Sequence, residues 1–172
     1  MSDADIRGLI EAGELVIDPL SPDTVRENGV DLRFSKRFCV MRGGGVLDTR
    51  GSGEPRSFYD CVEAEDYVIP PGARVLAVTE EWVELPPYLV GLVNLRSSFA
   101  RLGLYVPPTV VDAGFKGRLV IELVGSTVPV RVYSGQRFLH LILLTTTSEV
   151  RKTYQGRYQG QRDVQLPILP IE

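Results

Sequence analysis

The residue types best suited to phosphate chemistry stand in one short stretch, where two arginines flank two serines. Arg96 and Arg101 bracket Ser97 and Ser98 directly after an apolar run that is typical of a strand. The guanidinium fork of arginine binds phosphate oxygens, and serine hydroxyls and backbone N–H groups can donate to the same oxygens. The same spacing is also typical of a serine cap with solvent-exposed arginines. The residues alone leave both interpretations open.

Two isolated carboxylates adjoin apolar segments that are typical of strands. One follows such a segment, and the other lies within one. Asp112 follows an apolar segment and precedes a glycine two residues later, which favours a tight turn over a chemical role. Glu122 is the one charged residue of the apolar segment 119–124. On a half-exposed strand it is an ordinary outward side chain. If it faces inward, it needs a partner such as Arg101 or Arg96, because an unpaired buried charge is very costly.

The C-terminal segment, residues 153–172, changes character. It is polar and glycine-rich at first, with Arg157, Tyr158 and Gln161 in that part, and it then carries two prolines. It is too polar for a core, so we expect a mobile tail that is idle or closes over something. Ordering such a tail costs about 1–2 kcal/mol per residue fixed, which a bound ligand would have to offset.

The histidine and cysteine content restricts the chemistry further. His140 is the single histidine, and Cys39 and Cys61 form no CxxC motif, so no Cys/His zinc site of the usual spacing is available. The zinc-deaminase signature, HxE with PCxxC, is absent. His140 lies in an apolar run, which favours a core or interface position over membership of a catalytic triad. We expect the two cysteines to be buried thiols and not a redox pair.

Length, charge and hydropathy exclude several classes of protein. A chain of 172 residues is expected to form one domain with a substantial core. A net charge of −3 argues against nucleic-acid backbone binding as the main role. No stretch approaches the roughly 18 apolar residues of a membrane span, and the N-terminus shows no secretory signal. The expected location is therefore cytoplasmic.

Short apolar segments separated by glycine and proline predict about ten strands. One helix is predicted over Asp5–Ala12, where the apolar residues repeat at helical spacing. Regularly spaced short strands are typical of a sandwich, a jelly roll or a barrel. We therefore divide the chain into a single β domain, residues 1–152, and the C-terminal tail, residues 153–172.

Five motifs in this order resemble the dCTP deaminase/dUTPase superfamily, and the resemblance covers nearly the whole chain. Within the superfamily the sequence is most similar to the archaeal-type dUTPase branch. The motifs that carry the resemblance are Leu15-Val16-Ile17-Asp18-Pro19 with Asn28-Gly29-Val30-Asp31-Leu32-Arg33, Ile69-Pro70-Pro71-Gly72 leading to Thr79-Glu80-Glu81, Arg96-Ser97-Ser98-Phe99-Ala100-Arg101-Leu102-Gly103-Leu104, Val111-Asp112-Ala113-Gly114-Phe115-Lys116-Gly117 and Arg157-Tyr158-Gln159-Gly160-Gln161.

The resemblance implies a distorted β-barrel or jelly roll of the dUTPase-like type, assembled as a homotrimer with active sites at subunit interfaces. Its substrate would be a deoxynucleoside triphosphate, and Mg²⁺ would be bound mainly through the substrate phosphates, with no protein metal cage. Asp112 would lie beside the deoxyribose and the attacking water. The remaining residues implied to bind substrate are, for the triphosphate, Arg96, Ser97 and Ser98, and for closure over the nucleotide, Arg157, Tyr158 and Gln161.

The resemblance implies one of two reactions. A short connection before Asp112 is typical of a dUTPase, in which backbone groups, here those of Val110 and Val111, contact the base edge, and Val110 stands where a deaminase would carry arginine. We therefore predict a dUTPase that hydrolyses dUTP to dUMP and diphosphate, with Asp112 activating the water.

The alternative is a zinc-independent dCTP deaminase, alone or with dUTP hydrolysis as a second activity. In that reaction Glu122 would be the proton shuttle, and Ser97 and Arg101 would position it. A catalytically inert nucleotide-binding regulator is a third hypothesis, which the intact motifs disfavour.

Overall fold

The computed structural model describes residues 1–171 and confirms the mainly β fold with one short N-terminal helix. A second, four-residue helix follows the seventh strand. The elements, in chain order, are α1 (Asp3–Glu11), β1 (Val16–Asp18), β2 (Val25–Arg26), β3 (Gly29–Met41), a 3-10 turn (Arg56–Phe58), β4 (Tyr59–Glu63), β5 (Asp66–Ile69), β6 (Arg74–Glu84), β7 (Leu89–Leu95), α2 (Ser97–Ala100), β8 (Thr109–Val111), β9 (Lys116–Val124), β10 (Val130–Tyr133) and β11 (Arg137–Thr145).

Nine of the strands form one antiparallel sheet that curls into a distorted half-barrel. The order β1-β6-β3-β11-β7-β8 forms its main path, β2 and β4 also pair with β3, and β9 pairs with β6. Strands β5 and β10 form a separate two-stranded ribbon. Curling lets each long strand bury one face, which a flat sheet of this size would leave in water.

The core lies inside the curl and follows the two-residue period of the strands. On β9, alternate residues from Gly117 to Leu123 are buried and the residues between them point outward. The aromatic rings of Phe34 and Phe138 stack at a centroid distance of 3.7 Å in the middle of this core. The period therefore places Glu122 on the outer face of β9, so the inward-facing possibility raised by the sequence does not apply.

The cysteines correct one expectation, because Cys39 and Cys61 form a disulfide. They face each other directly in the antiparallel pairing of β3 with β4, with a Cα–Cα distance of 4.0 Å. Cys39 is buried, whereas Cys61 is exposed. The two cysteines meet across the antiparallel pairing of β3 with β4. Their spacing in the sequence does not reveal this pairing. The expectation of buried free thiols is wrong.

Reducing the disulfide is expected to lower the free energy of unfolding by about 3 kcal/mol, as chain entropy predicts for a closed loop of this size. The two cysteines are 22 residues apart in the sequence. Urea unfolding with and without a phosphine reductant measures the effect. The double variant Cys39→Ser with Cys61→Ser is the control and should show no response to the reductant. An equal response in the double variant would contradict the assignment.

The C-terminal tail lies against the barrel. Leu166 is buried, and the ring of Tyr154 packs against that of Phe115 at a centroid distance of 5.7 Å. Leu169 pairs with Gly53 through two backbone hydrogen bonds. The last residue of the predicted tail, Glu172, lies outside the described residues. None of the helices in residues 1–171 is long and apolar enough to cross a bilayer.

Candidate active site

The carboxylate of Glu122 faces a cleft on the outer side of β9. Its side chain is 42 % exposed, and the Oε1 atom lies 3.3 Å from an Nη atom of Arg74, a neighbour on β6. The cleft has a volume of about 390 Å³, and its lining includes Glu122, Thr109, Tyr158 and Gln161. Only Glu122 among these four carries a charge. The sequence did not identify Arg74 as its partner, because strand pairing and not sequence distance brings the two together.

A phenol also belongs to the surroundings of Glu122. Burial raises the pKa of Tyr59, and the negative charge of Glu122 raises it further. Tyr59 therefore keeps its proton at neutral pH and is close enough to Glu122 for the carboxylate charge to act on its phenol. Strand β4, on which Tyr59 lies, has no motif that would have identified it from the sequence.

A second cavity of about 190 Å³ adjoins the first. Tyr158 and Gln161 line both, and Val110, Val111 and Asp112 line the second. Val110 and Val111 belong to β8 at the sheet edge, where Val110 pairs with Leu92 of β7, and Asp112 directly follows that strand. The structure thus places the predicted base-contacting and sugar-contacting residues next to the Glu122 cleft.

Asp112 begins a tight turn, as its sequence context favours. The N–H of Phe115 donates to the carbonyl of Asp112 at 3.0 Å, and Gly114 takes a φ of 83°, which a side chain would strain. The carboxylate of Asp112 is exposed and faces the second cavity. The turn and the placement at the cavity are therefore compatible, and the sequence had treated them as competing interpretations.

The tail reaches the cleft by adding hydrogen bonds along β9. The N–H of Arg118 donates to the carbonyl of Gln161 at 2.9 Å, and the N–H of Gly160 donates to the carbonyl of Lys116 at 2.8 Å. The Nε2 atom of Gln161 donates to the carbonyl of Arg118 at 2.8 Å. That bond fixes the amide orientation, because a carbonyl can only accept.

The other end of the Gln161 amide is buried without a partner. Its Oε1 atom is the one buried side-chain polar atom within residues 1–171 that lacks a hydrogen bond. A buried acceptor that is left unpaired is costly, so such an atom beside a cleft is suited to a ligand that brings a donor.

Arg157 takes a different position from Tyr158 and Gln161. Its guanidinium donates to the carbonyl of Ile168 at 2.7 Å and also to the carbonyl of Pro170. Arg157 therefore connects the first part of the tail to the later residues Ile168 and Pro170 in this structure. Its predicted contact with substrate stays a prediction.

The arginine–serine stretch lies in another part of the chain's surface. Strand β7 ends at Leu95, Arg96 is extended, and α2 begins at Ser97. Arg96 and Ser97 line a separate cleft of about 310 Å³ together with His140. Ser98 and Arg101 are exposed. Within one chain, the structure therefore does not bring this stretch into the Glu122 cleft.

No group of three or more His, Cys, Asp or Glu side chains in residues 1–171 is arranged to hold a metal ion. The cysteines are joined in the disulfide, and His140 hydrogen-bonds to Asp31 and Asn28 through its two ring nitrogens. The side chain of His140 is partly buried, beside Arg96, at the position that the sequence assigned to a core or an interface.

Comparison with known proteins identifies the family. A family model described as dCTP deaminase-like matches residues 1–146. The chain is 60 % identical over 172 residues to a dCTP deaminase of Desulfurococcus amylolyticus, a match that covers 98 % of this chain and 94 % of that protein. The chain belongs to the dCTP deaminase-like family. A dCTP deaminase of Aeropyrum pernix is 54 % identical over 170 residues, covering 98 % of this chain and 96 % of that protein.

A solved structure supports the fold of this family member. The crystal structure of 2'-deoxycytidine 5'-triphosphate deaminase from Agrobacterium tumefaciens matches with a TM-score of 0.67 at 23 % identity. The match covers 83 % of this chain and 45 % of that one, so the chain spans less than half the length of the matched protein. At this identity the likeness shows the shared barrel architecture.

The relatives overturn the dUTPase prediction, in which hydrolysis of dUTP and supply of dUMP are the main activity. Both relatives reported above are named dCTP deaminase, and they match almost the whole chain. The prediction rested on the short connection before Asp112 and on Val110 in place of an arginine. Those features describe how the cavity is lined, whereas the reaction depends on which group activates the water. The role of Asp112 as the activator of a hydrolytic water is withdrawn with it.

Proposed function

We propose that this protein deaminates dCTP, converting dCTP and water to dUTP and ammonia. The observation that carries the proposal is the 60 % identity, over 98 % of the chain, to a relative named dCTP deaminase. The placement of Glu122 supports it, because a single carboxylate faces a cleft of about 390 Å³. A pocket of this size accommodates a nucleoside-sized ligand.

In the proposed mechanism, Glu122 acts on the cytosine ring. The carboxylate takes a proton from a water molecule, whose oxygen forms a bond to C4 of the base. Glu122 delivers this proton to N3 of the ring, which leaves a hydroxyl and an amino group on a tetrahedral C4. The hydroxyl proton then moves through Glu122 to the exocyclic nitrogen, the C4–N4 bond breaks, ammonia leaves and the C4 carbonyl of uracil forms. Arg74 of the neighbouring strand β6 pairs with the Glu122 carboxylate at 3.3 Å and helps to hold it at the cleft.

The remaining residues of the proposed site position the nucleotide. The backbone around Val110 and Val111 contacts the base edge, and Asp112 lies beside the deoxyribose. Ser97 and Arg101 orient the water and the Glu122 carboxylate. The triphosphate is held by Arg96, Ser97 and Ser98, whose guanidinium and hydroxyl groups are suited to phosphate oxygens.

The proposal includes a homotrimer with shared sites. In one chain the Arg96 cleft and the Glu122 cleft have different linings, yet the reaction needs the groups of both. Supplying the arginine–serine stretch from a neighbouring copy brings them together, and closed cyclic symmetry repeats that contact at every site. The expected setting is the cytoplasm, with a small-molecule nucleotide as the partner and no nucleic acid or membrane.

Mg²⁺ belongs to the proposal as an ion carried by the substrate. The described residues offer single carboxylates at the cleft and no three-residue metal cluster, which fits an ion bound mainly through phosphate oxygens. Bound in that way, it would supply charge neutralisation of the triphosphate. The deamination steps assigned to Glu122 do not depend on it.

The tail is proposed to act as a lid, with Tyr158 and Gln161 as its contacts. Tyr158→Ala is expected to raise KM for dCTP about tenfold, because the variant loses a ligand contact in both cavities. Gln155→Ala is the matched control, since Gln155 is an exposed tail residue that lines neither cavity. Steady-state kinetics measures both variants. Equal KM values for the two would contradict the lid.

Product analysis tests the proposed function directly. The protein is incubated with dCTP and Mg²⁺, and dUTP is quantified by chromatography beside an enzymatic assay for ammonia. The expected result is one ammonia for each dUTP formed. Diphosphate release without ammonia, or no turnover of dCTP, would refute the proposal.

A further inference from the structure

Asp31 is a buried carboxylate that contacts three cationic or hydrogen-bonding side chains. It is 2 % exposed. Its Oδ2 atom lies 3.0 Å from Nε of Arg96 and 3.5 Å from an Nη atom of Arg137, and its Oδ1 atom lies 2.9 Å from Nδ1 of His140. A buried carboxylate is retained at a site only when such partners offset its desolvation.

Strand pairing explains how these groups meet. Asp31 on β3 is directly opposite His140 on β11, and His140 is directly opposite Asn94 on β7. Arg96 follows two residues after Asn94, where β7 has ended, and its side chain returns to the buried carboxylate. Three strands of the barrel therefore hold the Asp31 cluster, which we define as Asp31, Arg96, Arg137 and His140.

The cluster fixes the guanidinium of Arg96 on one side. Its Nε atom faces Asp31, and one Nη atom donates to the carbonyl of Arg137 at 3.0 Å. The second Nη atom has no hydrogen-bond acceptor within residues 1–171. The side chain is 29 % exposed and lines the cleft of about 310 Å³ next to Ser97. The contacts with Asp31 and with the carbonyl of Arg137 therefore hold one edge of the Arg96 guanidinium, and its other edge faces the cleft.

We propose that Asp31 is a positioning residue that sets the orientation of Arg96 for the triphosphate of the substrate. The proposal rests on the function proposed above, because it takes the Arg96 cleft as the phosphate subsite. An arginine that is already oriented loses less side-chain freedom when the phosphate binds. Asp31 therefore acts on binding through Arg96 and contributes little to the chemical step at Glu122.

A charge argument supports this division of roles. A free carboxylate beside a phosphate subsite would repel the ligand. Asp31 does not have that effect, since the guanidinium groups of Arg96 and Arg137 compensate its charge from two directions. The cleft therefore keeps the donors of Arg96 without the repulsion of the residue that positions them.

A double-mutant cycle tests the proposal by calorimetric binding of inorganic tripolyphosphate. This probe lacks the base and needs no deamination. Asp31→Asn is expected to weaken its binding about tenfold in the wild-type background and to have no further effect in the Arg96→Gln background. With dCTP as substrate, the same variant is expected to raise KM about tenfold and leave kcat within about twofold.

Asp23→Asn is the matched control. Asp23 contacts Nε of Arg137 at 3.1 Å and also pairs with Arg33, but it does not contact Arg96. Tripolyphosphate affinity should therefore stay within about twofold of the wild-type value in this variant. Arg96→Lys covers the case in which Asp31→Asn does not fold. Lysine keeps the charge, but it lacks the guanidinium fork that contacts Asp31 on one side and faces the cleft on the other. A loss of tripolyphosphate affinity of about tenfold is therefore again expected.

The outcomes separate this proposal from the proposed function. An equal effect of Asp31→Asn in both backgrounds, a loss confined to kcat, or wild-type affinity in Arg96→Lys would overturn the positioning role. Failure of the wild-type protein to bind tripolyphosphate would overturn it as well. If Arg96-dependent binding obeys the cycle while dCTP is not deaminated, the positioning role stands and the proposed function fails.

Discussion

Glu122→Gln is expected to lower kcat for dCTP deamination by about 10²–10⁴-fold, the range lost when a general base is removed. The amide has nearly the same shape as the carboxylate but cannot take a proton from water. KM should change little, because the proposed triphosphate contacts are made by other residues. The formation of dUTP and ammonia from dCTP, followed under saturating substrate, measures the effect.

The effect on stability should be small and separates chemistry from folding. The side chain of Glu122 is 42 % exposed, and its ion pair with Arg74 is exposed on both sides. Pairs of this kind contribute about 0–1 kcal/mol. The thermal midpoint of Glu122→Gln should therefore stay within a few degrees of the wild-type value.

Two further variants serve as controls for Glu122→Gln. Arg74→Gln removes the ion pair but keeps the carboxylate, so most of kcat should remain. Glu63→Gln changes an exposed carboxylate on a different strand, β4, and should leave kcat unchanged. If Arg74→Gln lost as much activity as Glu122→Gln, the ion pair and not the proton transfer would explain the loss. Full activity of Glu122→Gln would exclude the general-base role.

The presence of strands was predictable from short apolar segments. The apolar segment 119–124 indicated a strand, and β9 covers it as part of Lys116–Val124. The helix at the N-terminus was also predictable, although it begins earlier because Ser2 and Asp5 form a capping box. In both cases the decisive interactions are local, so the sequence contains them.

The length of β3 was not predictable in the same way. Val30, Leu32 and Phe34 alternate with Asp31 and Arg33 in the sequence, which indicates a strand over Val30–Phe34. The structure shows a longer strand, because β3 extends from Gly29 to Met41. The register against β6 shifts between Phe34 and Phe38, and Lys36 between them is exposed although both phenylalanines are buried, so the two-residue period is interrupted. A bulge depends on the neighbouring strand, which a single sequence does not specify.

The candidate site was likewise predictable only in part. The sequence identified Glu122, Asp112 and the tail residues Tyr158 and Gln161 as candidates, and the structure groups these four around adjoining cavities. It did not identify Arg74 or the Asp31 cluster as partners, since strand pairing creates those contacts. The choice of reaction failed for a different reason: it rested on the lining of a turn and not on the group that moves a proton.

Shared sites lead to the second large effect, which is recovery of activity from two inactive proteins. Glu122→Gln and Arg101→Ala are each expected to lose most activity as pure assemblies. In a trimer where each site takes Glu122 from one chain and Arg101 from the next, every mixed trimer has both groups intact at about a third of its sites. Co-expression with two different tags, purification through both and assay of dCTP turnover should therefore restore a substantial part of wild-type activity.

The control for this experiment mixes two variants of the same stretch, Ser97→Ala and Arg101→Ala. Every site then takes its arginine–serine stretch from a chain that carries one of the two defects, so no recovery is expected. Recovery in the first mixture alone would require Glu122 and Arg101 to act from different chains, which is the arrangement that the separate clefts of one chain favour. Absence of recovery in a confirmed mixed oligomer would mean that each chain completes its own site, and the proposed sharing would be wrong.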